Sequence, residues 1–154
     1  MDEGSLTPLD PAYIKVLRIR AAITAVPISV GALVLESAEA LPRGAVILPV
    51  LLVAALVILR LPLRRWQARG YRLESDRLQV VAGMLFRRDT VVPFGRVQHI
   101  DVEQGPLERF YGLGTLVLHT AGNHNASVQL SGLRHGDAVG ARDSIRDYVK
   151  REIG

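Results

Sequence analysis

The chain has 154 residues, enough for one small domain and an anchor, and carries a formal net charge of +4 with no cysteine. Without cysteine there is no disulfide framework, no thiolate nucleophile and no Cys-containing metal site, which fits a reducing compartment. Residues 1–69 hold eight Lys/Arg against five Asp/Glu, while residues 70–154 hold eleven against ten. The basic excess therefore sits mostly in the apolar half, and a nucleic-acid-binding domain, which concentrates positive charge on its own surface, is disfavoured.

Residues 1–20 read as a polar, Pro-containing cytoplasmic tail that turns helical near Tyr13. Its end, with Lys15, Arg18 and Arg20, suits a headgroup surface. Next comes Ala21–Leu35, fifteen uncharged residues. It completes a membrane span only if Glu36 or Glu39 lies at the far interface, giving a first arm of about 21–41. Pro27 is tolerable beside a neighbouring helix, and Gly31 and Ala32 permit close packing. No small-residue cleavage pattern closes the run, so it reads as a retained anchor rather than a signal peptide.

The stronger run is Gly44–Leu63, twenty residues with a single charge, Arg60. As a helix it is roughly 30 Å long, the thickness of a hydrocarbon core. Its exit is basic: Arg60, Arg64, Arg65, Arg69 and Arg72 surround Trp66, an interfacial anchor. These six residues are the expected lipid interface. The competing reading makes the two runs buried helices of a soluble protein, but neither has a polar face and so small a domain has little room to bury both. Basic residues flank both outer ends, so the positive-inside rule makes 21–66 a hairpin in the cytoplasmic membrane with both termini cytoplasmic.

From Gly70 the period changes to the alternation of strands. Tyr71–Glu74 and Arg77–Val81 flank a Ser75-Asp76 turn, Gly83 offers a second bend or bulge, and Met84-Leu85-Phe86 leads into a further strand, Arg87–Pro93. Val97–Gln104 follows, then a helical turn opened by Pro106, then Thr115–Thr120 and Ser127–Leu130 about a Gly122-Asn123 hairpin. Ala138, Ala141, Ile145, Tyr148 and Val149 share one helical face, with Asp137 as the expected N-cap. Residues 70–154 are thus a small, mainly-β domain of six to seven strands, closed by a terminal helix packed over its core.

In Tyr71-Arg72-Leu73, Pro93-Phe94-Gly95-Arg96-Val97-Gln98-His99-Ile100, Gly112-Leu113-Gly114-Thr115-Leu116 with Thr120-Ala121-Gly122, and Leu130-Ser131-Gly132-Leu133, the chain resembles a known family. This family comprises the bacterial membrane-flanked proteins with a type 2 bacterial PH domain, YdbS-like in layout. The resemblance covers nearly the whole chain. It implies a PH-like barrel with a C-terminal helix, and association with larger polytopic proteins carrying related domains. Some members are linked to resistance to antimicrobial peptides, an envelope-protection role. It implies no defined activity and no cofactor.

The residues themselves give little chemistry. His99 and Asp101 share a strand face and could act as a base and its orienter, but no Ser stands in an elbow. His119 and His124 could approach across their hairpin, yet two histidines without a third ligand make a poor zinc site, and His135 only precedes the helix. No catalytic residue, metal ligand or cofactor is expected. Two binding readings stay open. One is protein interaction, through sheet edges and through helix contacts at Gly31, Ala54 and Ala55, with a polytopic partner or a second copy. The other is a phospholipid-headgroup sensor using a basic rim of Arg77, Arg87 and Arg88.

Overall fold

The structure is a computed structural model that describes residues 5–38, 41–122 and 127–153. The chain divides into two compact units, one of Ile14–Trp66 and one of Met1–Tyr13 with Gln67–Gly154.

Two long helices make up the first unit. Helix α1 spans Ala12–Ser37, with Pro27 inside it, and α2 spans Ile47–Gln67, with Pro62 inside it. Both are long and apolar enough to cross a membrane. Their side chains are not a buried core: Ile23, Ile28, Val34, Leu48 and Leu52 are each more than 60% exposed. These two helices present their apolar side chains rather than burying them in a core of their own. Helix α2 continues past the apolar run through Arg64, Arg65 and Trp66. The join between the helices is fixed from inside. The Glu36 carboxylate accepts backbone N–H bonds from Gly44, from Val46 at 3.3 Å and from Ile47 at 2.8 Å. It thereby satisfies donors that the first turn of α2 cannot pair for itself.

The second unit has six strands in two antiparallel sheets. The first is β1 (Gly70–Leu73), β2 (Arg77–Ala82) and β3 (Arg88–Pro93), and the second is β4 (Val97–Glu103), β5 (Leu113–Thr120) and β6 (Ser127–Arg134). A 3-10 turn at Phe94–Arg96 joins the sheets, and helix α3 (Pro106–Phe110) joins β4 to β5. Helix α4 (His135–Ile153) ends the chain. Two sheets and a terminal helix are consistent with a PH-like fold, and the strand number is six. Among the described residues the ladders join strands within each sheet and do not close into one ring. Met84–Phe86 forms the turn ahead of β3, after the bend expected at Gly83. One expectation shifts: α4 begins at His135, so Asp137 lies in its first turn rather than capping it. Asn123 and His124 fall outside the described residues.

The core forms where α4 crosses the second sheet. Leu113 to Leu118 are all buried, as are Ala138 and Ile145 on α4. The Phe94 and Tyr148 rings meet edge to face with centroids 5.5 Å apart. Buried Glu108, on α3, is satisfied by the Gly105 N–H at 2.7 Å and the Thr115 hydroxyl at 3.1 Å.

The N-terminal segment is not the loose tail expected. Thr7 and Tyr71 exchange backbone hydrogen bonds of 2.7 and 3.1 Å, and the Asp10 N–H donates to the Gly132 carbonyl at 2.8 Å. The segment thus laces β1 to β6, the facing edges of the two sheets. Leu9 and Tyr13 are buried, and the Tyr13 hydroxyl accepts from Arg69 at 3.2 Å. Gly132 permits this: at φ +85°, a Cβ there would stand 2.7 Å from the Tyr13 ring. A short apolar-polar stretch carries too weak a periodic signal to be assigned a partner strand from sequence. The basic stretch from Tyr13 to Arg20 belongs to the continuous helix α1 and is no separate surface segment.

Candidate functional site

Four of the six residues expected at the lipid interface, Arg60, Arg64, Arg65 and Trp66, lie on α2, whose last turns are basic. That arrangement favours the helix C-terminus and an anionic headgroup layer alike. Arg69 instead donates to Tyr13. Arg72 sits in β1, 3.9 Å from Glu74, and lines a cleft of about 410 Å³ between β1 and α4. The cleft floor is apolar, with Leu78, Leu116 and Leu130, and its rim carries Asp137 and Ser144. Among the described residues, buried Arg72 Nε has no hydrogen-bond partner. Burial pushes the Tyr71 phenol up, with the Asp137 charge adding to it. No sequence signal marks this cleft, because its lining comes from β1, β2, β5, β6 and α4.

The proposed basic rim is split. In the register of the first sheet, Arg77 faces Pro93 while Arg88 faces Ala82, so the two lie at opposite ends of β2, about 17 Å apart along the strand. Arg77 is also engaged. It binds Asp76 at 2.9 Å and Glu74 at 3.1 Å, which hold its guanidinium charged and hold the Asp76 carboxyl below its ordinary value. Arg87 and Arg88 stay together at the start of β3, both exposed.

His99 and Asp101 pair as their shared strand face implies, and His119 joins them. His99 and His119 are direct partners across β4 and β5. Asp101 lies between them, with His99 Nε2 at 3.0 Å from one carboxylate oxygen and His119 Nε2 at 3.4 Å from the other. The imidazoles engage different oxygens of one carboxylate. Among the described residues no three such groups converge as metal ligands.

The sequence profile described as "Bacterial PH domain" matches residues 16–149. Among curated proteins, the UPF0699 transmembrane protein YdbS of Bacillus subtilis (strain 168) is 30% identical over 95 residues, which is 62% of this chain and 58% of that protein. No solved structure matches. A profile match over most of the length, on a chain that folds as two apolar helices, two three-stranded sheets and a closing helix, shows that this chain belongs to the bacterial PH domain family.

Proposed function

We propose that the protein is a membrane-anchored interaction module. Its PH-like domain is held at the inner face of the cytoplasmic membrane by a two-helix hairpin with both termini cytoplasmic. It serves as an accessory or scaffold subunit beside a larger polytopic membrane protein with related domains, or beside a second copy of itself, in protection of the cell envelope. The reading assigns the domain binding and no catalysis.

The observation that carries it is the double attachment. Both strands of chain that flank the hairpin, Leu6–Tyr13 and Gln67 onward, belong to the same domain. An even number of crossings follows naturally from that. The positive excess at α2's exit supports that orientation. The cleft between β1 and α4, with its unpartnered Arg72 Nε, gives a candidate surface for a partner's carboxylate or carbonyl.

A reporter fused after Gly154 should read cytoplasm, and a tag at Pro42 should be reachable from outside. The reverse pattern overturns the orientation. Extraction from the native membrane in mild detergent should recover the protein in a larger complex, and recovery as a free monomer alone argues against the subunit role. A headgroup site combining Arg77, Arg87 and Arg88 forms no part of the proposal, since Arg77 is remote and already paired.

A further inference from the structure

The turn between β2 and β3 is built against the usual chemistry of turns. Hairpin turns are ordinarily polar, yet this one presents Met84, Leu85 and Phe86 in succession, with Leu85 84% and Phe86 89% exposed. Its closure is tight. Gly83 has φ +121°, and a Cβ on it would stand 1.8 Å from the Phe86 carbonyl oxygen. The backbone thus folds in on itself at Gly83 while the three apolar side chains stay outside. Arg87 and Arg88 follow at once, and among the described residues neither has an acidic partner within 4.0 Å. The neighbouring Asp89 is turned to β2, where it accepts from Gln79 at 2.9 and 2.8 Å.

The register fixes which end of the sheet this tip occupies. Gly70 pairs with Val81, and Ala82 pairs with Arg88. The tip therefore lies at the Gly70 end, where β1 begins only three positions after Gln67, the last residue of α2. The other end of the sheet is the turn with Glu74 and Asp76, paired to Arg77. The sheet is polarised: apolar and basic where the chain arrives from the apolar helix, acidic and self-neutralised at the far end. Apolar side chains bordered by arginines match the headgroup–acyl boundary of an anionic bilayer.

We propose that Met84–Phe86 is a further point of membrane attachment, with Leu85 and Phe86 entering the interface of an anionic bilayer while Arg87 and Arg88 bind its phosphates. This rests on the anchoring of the chain by α1 and α2. Insertion at the tip and anchorage by the helices together hold the domain in one orientation over the lipid.

The test uses the full chain reconstituted in vesicles of phosphatidylcholine with phosphatidylglycerol, the lipids brominated along the acyl chain. The native protein reports on the anchor through Trp66, its sole tryptophan. A second protein, Trp66→Phe with Phe86→Trp, reports on the tip, and Leu85→Trp in the same background replaces it if that variant does not fold. At the tip, brominated lipid should remove about half of the emission, and aqueous iodide should quench it less than it quenches the same protein in detergent. Adding Arg87→Gln and Arg88→Gln, or using phosphatidylcholine alone, should lower the docked population on the order of tenfold. A tip tryptophan open to iodide and untouched by brominated lipid overturns the proposal, and is what a tip that docks on protein would give. If Trp66 is still quenched by brominated lipid, the anchor stands; if neither position is quenched, anchor and tip fall together.

Discussion

Asp10 helps to hold the N-terminal segment in place through both its backbone and its side chain. Its N–H binds Gly132, and its carboxylate accepts from the Ala12 N–H at 2.8 Å and from Arg134 at 2.8 Å. It thus caps the start of α1 through the Ala12 N–H and pairs with an arginine in a remote strand. Partial burial pushes the carboxyl up, but the bond from Arg134, the Ala12 N–H and the Arg134 charge outweigh it, so Asp10 titrates below its ordinary value. A depressed carboxyl contributes stability above its unfolded value of about 3.9, and that contribution is lost as pH falls through the folded value. Asp10→Ala should therefore cost about 1–2 kcal/mol at neutral pH. In melts of the detergent-solubilised protein, the gap from wild type should close in acid and persist on the alkaline side. A gap that does not change with pH would mean that the carboxylate's charge plays no part.

At the scale of elements, local signals served well where one period or one length decided the outcome. Strands β1, β2 and β4 and helix α4 were legible from alternation and from the Ala138–Ile145–Val149 stripe. Gly83 was legible as a bend, but how tightly it closes, with Met84–Phe86 left outside, came only from the structure. Glu36 read as an interface marker by position alone, yet it caps the neighbouring helix. Glu36→Ala leaves three N–H donors at the start of α2 without that acceptor. It should destabilise the hairpin by about 1–2 kcal/mol, seen as a lower melting midpoint and easier cleavage between the helices. Glu36→Gln, which keeps an acceptor oxygen, should recover part of the loss.

For the whole molecule, the segment Ile14–Trp66 interrupts the domain along the chain. Residues on both sides of Ile14–Trp66 complete one fold. Removing residues 1–9 should strip the Thr7–Tyr71 pairing and the buried Leu9 side chain. The expected cost is about 3–4 kcal/mol, from roughly 2 for the leucine and roughly 1 for each backbone bond. A midpoint unchanged by the truncation would show the segment to be dispensable.

The sequence by itself determined the two apolar spans, the switch to strand periodicity at Gly70, the terminal helix and the family. Those properties depend on length, local alternation and contiguous motifs. Only the tertiary structure decided that Leu6–Asp10 completes the domain, that Arg77 stands apart from Arg87 and Arg88, that His99 and His119 share Asp101, and that Arg72 lines a cleft. Each of these depends on strand register or on pairing between segments distant in the chain, and pairing is chosen by the packing of the whole core rather than by any window of residues.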